Sequence, residues 1–291
     1  MLRSPVHNHD LATIRGVYGV KPELPATGGS ELVGIVDRIN GEAPLSAGAR
    51  VACMTQGAWA EFAIAPLSQL VPIPDGISDD AACQLLAMPL SALVLLDELH
   101  VDAGDWIAQN AASGAVGRIL MQEAQRRGVH VINLVRREEA RRELERFGAK
   151  HVVVTSADWT KRVLEMAAGA PISRVVDSVA GNDSIELARL LAPGGELIVF
   201  GGLGGQAMRL DPGRLISHEL TVRGFWMTAW MRRPENAPRV AAAMQRVFAL
   251  ALGGDLPLPV GGVYSLSQVR EALTAAETPG RAGKMLFTGK P

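Results

Sequence analysis

The chain has 291 residues, 48% of them hydrophobic and 20% charged, with a formal net charge of −1. That balance describes one large or two ordinary packed domains, excludes disorder or a coiled coil as the main architecture, and leaves no global field to hold nucleic acid or an anionic membrane. The two cysteines, Cys53 and Cys83, exclude a disulfide framework and a four-cysteine zinc lobe, while the apolar stretch Ala87–Leu96 covers about half a membrane span and the start lacks a signal core, so a cytoplasmic protein is expected.

Residues 1–85 are punctuated by Gly16, Gly19, Pro22, Pro25, Gly28 and Gly29, with more turn residues beyond. The runs Leu32–Ile39, Arg50–Met54 and Ala58–Ala65 between them predict short strands of a small β-rich domain. From about residue 105 the rhythm changes. Trp106–Asn110 predicts a buried strand, Val116–Arg127 a helix stopped by Gly128, His130–Val135 a strand, and Glu138–Phe147 a helix stopped by Gly148. Val152–Val154, Arg174–Val179, Glu196–Phe200 and Leu220–Trp226 predict further strands, with helices near Trp159–Ala168 and Ser184–Leu191. This alternation implies right-handed crossovers and a parallel sheet covered on both faces. Asn236–Leu252 predicts a helix, and Gly261–Phe287 returns to β and short-helix character.

The segment Gln109–Gly117 joins the first predicted strand of this alternation to its helix. Its small residues, Ala111, Ala112, Ser113, Gly114, Ala115 and Gly117, let backbone approach a pyrophosphate, and the helix start offers free N–H groups. An unliganded tight turn is the plainer alternative. The next strand ends in Val135-Arg136-Arg137. A nucleotide site selective for NAD usually carries an acid here for the ribose diol, whereas an arginine suits a 2′-phosphate. Against that stands an ordinary solvated helix start, since Arg141, Arg142 and Arg146 follow. A cation at a helix N-terminus opposes the macrodipole, which favours the anion-binding reading and hence NADPH over NADH.

Gly16-Val17-Tyr18-Gly19, Pro22-Glu23-Leu24-Pro25-Ala26 and Gly28-Gly29-Ser30-Glu31 resemble the N-terminal domain of the medium-chain dehydrogenases/reductases. Gln109-Asn110-Ala111, Val135-Arg136, Phe200-Gly201-Gly202 and Gly224-Phe225-Trp226 narrow the resemblance to the zinc-free, mitochondrial-type 2-enoyl thioester reductases. It implies an α/β fold with a Rossmann-type doubly wound sheet at 86–229 and a β-rich GroES-like catalytic domain at 1–85 and 230–291. The implied activity is reduction of trans-2-enoyl thioesters (of CoA or acyl carrier protein) by NADPH, in a homodimer, with no nucleic-acid or membrane partner. The family's catalytic tyrosine falls on Tyr18. Its nucleotide contacts fall on Asn110, Ser113, Gly114, Ala115, Val116, Gly117, Arg136, Arg137, Phe200, Gly201, Gly202, Leu203, Phe225, Trp226, Met227 and Lys284, and its substrate contacts on Met88 and Trp226. Met88 stands where the subgroup often has asparagine, and His7-Asn8-His9-Asp10 replaces the usual Asn-Pro-x-Asp. Members also carry further strands before this point, so the β-rich domain is expected to be N-terminally shortened and to expose an unpaired edge.

Adding hydride to Cβ of an enoyl thioester builds negative charge on the thioester oxygen, so the site needs one donor aimed at that charge or at Cα. A phenol, with its ordinary pKa of about 10, carries a proton at neutral pH. Tyr18 lies in a glycine-flanked loop expected to face the cofactor, and Tyr264 in a strand-like run. No metal is expected: His7, His9, Asp10 and Glu31 would make at best an irregular zinc set, and the two histidines read as loop residues. Cys53 and Cys83 read as small core hydrophobes. Arg232 and Arg233 read either as attraction for a phosphate of the acyl carrier or as a solvated pair, and Lys284 as a cofactor contact or a surface lysine. The competing functions are a quinone or enone reductase of the same fold, a zinc-type alcohol dehydrogenase-like protein, and a non-catalytic NADPH-binding protein.

Overall fold

The computed structural model describes residues 1–289. The chain runs β1 (Arg3–Pro5), α1 (Asn8–Ile14), β2 (Glu31–Ile35), β3 (Arg50–Met54), β4 (Leu70–Pro72), α2 (Asp79–Ala82) and α3 (Met88–Glu98). It continues through β5 (Trp106–Gln109), α4 (Ala115–Arg126), β6 (His130–Val135), α5 (Glu138–Arg146), β7 (His151–Val154), α6 (Trp159–Ala167), β8 (Ile172–Asp177), α7 (Ser184–Leu190), β9 (Glu196–Val199), α8 (Pro212–Ser217) and β10 (Thr221–Gly224). The last elements are α9 (Met227–Met231), α10 (Ala237–Leu252), β11 (Val260–Ser265), α11 (Val269–Glu277) and β12 (Lys284–Thr288). Two compact units result, one of Met1–Leu90 with Met244–Pro291 and one of Ser91–Ala243. Both divisions fall inside helices, α3 and α10, whereas the resemblance implied boundaries at residues 85 and 229.

The first unit is built on a six-stranded sheet of order β11-β12-β1-β2-β3-β4. Although β1 opens the chain, it is an interior strand, antiparallel to β12 on one side and to β2 on the other. The sheet is open, as expected, and its edges are β11 and β4 rather than the first strand. Val6, Leu11, Ala272, Ala276, Met285 and Phe287 close a core that joins α1 and α11 to the sheet. Trp59 packs its indole on Phe287 with ring centroids 5.1 Å apart and donates from Nε1 to Pro5 O at 3.1 Å.

Trp59 also explains a difference from the sequence reading. Ala58–Ala65 alternates like a strand but is irregular. The backbone N–H groups of Gly57 and Ala58 donate to Gly29 O, and that of Trp59 donates to Gly28 O. Those donors are therefore spent on a glycine pair that the indole covers, and Phe62 and Ile64 are left exposed. No periodic apolar stripe announces α1, whose seven residues begin with Asn8-His9-Asp10.

The second unit carries a six-stranded, all-parallel sheet of order β10-β9-β8-β5-β6-β7. The chain enters at β5, winds out through β6 and β7, then returns to β8 beside β5 and winds out the other way. Strand order therefore reverses at β5, and the loops leaving the carboxyl ends there splay apart, the place where open α/β sheets bind ligands. Ala108, Ile132, Leu134, Val175, Leu187 and Leu197 are among the buried residues of its main core. All but Leu187, which α7 contributes, sit in the near-continuous apolar runs that a sheet covered on both faces requires. Except at Ala58–Ala65, each predicted strand and helix corresponds to an observed element within a few residues.

The glycine pair yields a test of packing. A Cβ on Gly29, whose φ is +91°, would lie 2.4 Å from Trp59 Cδ1 and 2.7 Å from Trp59 N. Gly29→Ala is expected to lower unfolding stability by about 2 kcal/mol or more, read by urea denaturation.

Candidate functional site

In the second unit, β5 ends at Gln109, whose amide is 1% exposed. Its Nε2 donates to Gly117 O at 2.8 Å and to Asn133 Oδ1 at 2.7 Å, while Asn133 Nδ2 donates to Val131 O and His151 O, both at 3.1 Å. This buried amide pair fixes the start of α4 against β5, β6 and β7. The turn itself places Ala111 at φ +48° and returns Gly114 N to Ala111 O at 2.9 Å. A Cβ on Gly117 would come within 2.7 Å of Ala112 O, so only glycine lets the helix sit this close to the turn. Gly114 is the N-cap and gives no side-chain cap. The N–H groups of Ala115, Val116 and Gly117 therefore have no intrahelical acceptor, and they point with the positive end of α4 out of the turn. This glycine-lined cradle fits a pyrophosphate.

Other predicted residues follow neighbouring carboxyl ends of the same sheet. Arg136 and Arg137 are exposed directly after β6, and among the described residues neither makes an ion pair. Phe200 to Leu203 follow β9, and Phe225 to Met227 follow β10. The Phe200 and Phe225 rings lie 6.2 Å apart. Phe225 is buried and Trp226, at the N-cap of α9, is 41% exposed. A Cβ on Gly201 would stand 2.8 Å from Ser178 O, so the β8 and β9 loops are in backbone contact.

Asn110 faces its own protein. Its Nδ2 donates to Asp177 Oδ1 at 2.6 Å and its Oδ1 accepts from Ser178 N at 2.7 Å. Asp177 Oδ1 also accepts from Val179 N and Ala180 N, and Oδ2 from Ser184 Oγ at 2.6 Å. Asp177 thus gathers the loops after β5 and β8. Sequence reasoning missed Gln109, Asn133 and Asp177 as organising residues. The available signal was a polar side chain inside an otherwise apolar strand, which must find partners when buried.

In the first unit, Tyr18 follows α1 through a Schellman turn. Gly16 N donates to Thr13 O at 2.9 Å and Val17 N to Ala12 O at 3.0 Å, with Gly16 at φ +70°. The first glycine of Gly-Val-Tyr-Gly is therefore a helix terminator that sets the approach of Tyr18. The phenol ring stacks on His9 with centroids 5.6 Å apart, and His9 stacks on His7 at 4.9 Å. His9 Nε2 lies 2.6 Å from Ser30 Oγ, and His7 Nε2 lies 2.7 Å from Glu31 Oε2. His9 lies within α1 rather than in a loop, whereas His7 stands between β1 and α1 as the N-cap, fully buried and held by its own N–H on Asp10 Oδ2 at 2.8 Å.

Glu31 is fully buried, with Oε1 accepting from Leu86 N at 2.6 Å. Burial is the largest influence on its carboxyl and pushes its pKa up to about 8, against the lowering effect of the Leu86 and Ala87 N–H groups. Burial holds His7 well below its ordinary value. Burial thus disfavours the charged form of both groups, and His7 Nδ1 is a buried atom with no hydrogen-bond partner among the described residues. Lys284 opens β12 and is 9% exposed, so it is not a surface lysine. Burial lowers its pKa to about 8, with Arg281 adding to the fall and Asp10 and Glu31 opposing it. Met88 is half-buried at the start of α3, Cys53 and Cys83 are buried free thiols, and Tyr264 lies in β11.

These side chains do not suit zinc. His7 and Glu31 spend their facing atoms on each other, and among the described residues no group of three or more His, Cys, Asp or Glu is placed to hold a metal ion. No helix among the described residues is long and apolar enough to cross a membrane.

The Glu31 carboxyl makes stability depend on pH with a definite sign. Its pKa is higher in the folded chain than the ordinary 4.5, so its stabilising contribution is complete below about pH 4.5 and is lost as pH rises through about 8. The contribution of Lys284, lowered from 10.5 to about 8, is lost as pH falls from 10.5 to 8 and is flat below that. Between pH 5 and 8 the wild type should therefore lose stability relative to Glu31→Gln, which stays neutral throughout. Urea unfolding of both at several pH values checks the slope.

Two family models match the chain: an alcohol dehydrogenase GroES-like domain at residues 2–75 and a zinc-binding dehydrogenase domain at 115–245. The mitochondrial enoyl-[acyl-carrier-protein] reductase of Bos taurus is 30% identical over 297 aligned residues, covering 99% of this chain and 79% of the relative. Among solved structures, a mycobacterial quinone oxidoreductase superposes with a TM-score of 0.85 at 28% identity, covering 99% of this chain and 89% of that one. A mycobacterial structure complexed with NADPH superposes with a TM-score of 0.87, also at 28% identity and with the same coverage. The glycine cradle on a reversed parallel sheet, the GroES-like unit and a full-length relative at this identity agree: the chain belongs to the medium-chain dehydrogenase/reductase superfamily of oxidoreductases.

Proposed function

We propose that this chain is an NADPH-dependent reductase of the C=C bond of trans-2-enoyl thioesters, of CoA or acyl carrier protein, with Tyr18 as proton donor. The observation that carries the reading is the placement of Tyr18. It stands immediately after a Schellman-terminated helix with its ring stacked on His9, in a chain 30% identical to an enoyl-[acyl-carrier-protein] reductase over 99% of its length.

The N–H groups of Ala115, Val116 and Gly117 would hold the pyrophosphate, with Ser113 and the close-packed Gly114 beside them. Arg136 and Arg137, exposed and without carboxylate partners among the described residues, would hold the 2′-phosphate by charge-assisted hydrogen bonds. Phe200 to Leu203 and Phe225 to Met227 would flank the same nucleotide from adjacent strand ends. When bound, NADPH supplies the hydride that adds to Cβ of the substrate. The Tyr18 hydroxyl donates to the thioester oxygen as charge builds there, or passes its proton to Cα, so that hydride and proton together saturate the double bond. Tyr18 then regains a proton from solvent.

A quinone or enone reductase is the second reading. It is favoured by Met88, an apolar side chain where the resembling subgroup often has asparagine, and by the likeness to a mycobacterial quinone oxidoreductase. Such a reaction needs no protein acid, and that separates the two. With crotonyl-CoA as substrate, Tyr18→Phe should lose about tenfold or more in kcat with NADPH binding intact. Unchanged turnover, or turnover of quinones alone by the wild type, would favour the second reading. Arg136→Glu should raise the Kd for NADPH about tenfold or more and leave that for NADH nearly unchanged, measured by fluorescence titration. Equal weakening would remove Arg136 from the 2′-phosphate site.

A further inference from the structure

We propose that His9 is the positioning residue for the Tyr18 phenol, as the middle plate of a column of rings, Tyr18, His9 and His7, that Glu31 anchors in the interior of the first unit. The inference rests on the reading of Tyr18 as proton donor and adds to it the means by which the hydroxyl is held.

The backbone fixes where Tyr18 leaves the helix, and the ring contact fixes its plane. The residue is tied to the preceding helix by Tyr18 N donating to Ala12 O at 3.2 Å, and it is flanked by the exposed residues Val17 and Gly19. The ring supplies what the backbone lacks. Tyr18 lies within 26° of parallel to His9, and His9 within 21° of parallel to His7. Each inner plate is fixed at its rim. His9 is carried on α1 and tied through Nε2 to Ser30 Oγ at 2.6 Å, and His7 is tied through Nε2 to Glu31 Oε2 at 2.7 Å. Ser30 and Glu31 are consecutive residues at the start of β2, and Glu31 is locked from its far side by Leu86 N. The phenol plane is thus referred to strand β2 and to the segment entering α3.

The chemistry of the middle plate suits this use. Burial lowers the pKa of His9, aided by Lys284 and opposed by Asp10 and Glu31, so the ring is uncharged at neutral pH and stacks as a neutral aromatic face. His9 carries no proton to the substrate in this account. It acts through Tyr18, and a misplaced donor costs rate steeply because proton transfer requires a near-attack geometry.

The sequence supplies a clean probe, because the chain has two tyrosines. The full chain labelled with ¹³C at tyrosine Cζ gives two signals, and Tyr18→Phe assigns them. His9→Ala should shift and broaden the Tyr18 signal, leave the Tyr264 signal in place as a control for folding of the same unit, and lower kcat for crotonyl-CoA about tenfold with KM for NADPH unchanged. His9→Phe keeps a plate while losing the bond to Ser30, and should restore a sharp Tyr18 signal and bring kcat to within about threefold of the wild type. An unmoved Tyr18 signal in His9→Ala would overturn the proposal. So would a His9→Phe variant as impaired as His9→Ala, since the imidazole nitrogen rather than the ring would then matter. If the wild type leaves crotonyl-CoA untouched, the reductase reading fails, while the Tyr18 signal still decides whether His9 holds the phenol.

Discussion

A carboxyl group removed from water must give up its charge or find groups that replace its hydration, and Glu31 does both. It gives up the charge, since burial raises its pKa, and it keeps two fixed partners, His7 Nε2 and Leu86 N. Its backbone carbonyl also accepts from Ser4 Oγ at 2.6 Å, so one residue joins β1, α1, β2 and the approach to α3. Truncating either partner of such a pair leaves the other buried and unpaired, which costs more than the pair itself contributes. This contact holds the His7 side chain at the N-cap of α1.

The second unit solves a related problem with neutral amides and one carboxylate. A parallel sheet buried on both faces has apolar strands, and polar side chains inside it are tolerated only when every donor and acceptor is met. Gln109 and Asn133 meet each other and then the backbone of α4 and β7. Asp177 meets Asn110, two backbone N–H groups and Ser184. These networks lie at the carboxyl ends of β5, β6 and β8, so they shape the rim from which the glycine cradle and the Phe200 loop project.

Much of the second unit was legible in the sequence because strand and helix periods alternate from Trp106 to Phe200, and because Gly114 and Gly117 mark a close approach wherever a helix must begin near a strand. The six-residue α8 between β9 and β10 is too short to show a period and is not among the predicted helices. The first unit was harder to read. Helix α1 is too short to show a period, and its polar start hides the buried face of His7. Ala58–Ala65 has the alternation of a strand, yet its first donors are drawn away by Gly28 and Gly29, a contact that no local pattern encodes. The His7–Glu31 pair spans 24 residues and Lys284 reaches the same interior from the last strand, so only the fold brings them together. The turn that carries Tyr18 was legible through its flanking glycines, although the reason for Gly16, a helix terminator, is structural.

The arginines after β6 carry a different lesson. Among the described residues Arg136 and Arg137 brace nothing: they are exposed and form no ion pair, while the strand before them and Ala140 and Leu144 of the helix after them are packed without their help. The 2′-phosphate contact proposed for them thus rests on side chains free of architectural duty. Exchanging these two surface residues would leave the scaffold beneath them intact.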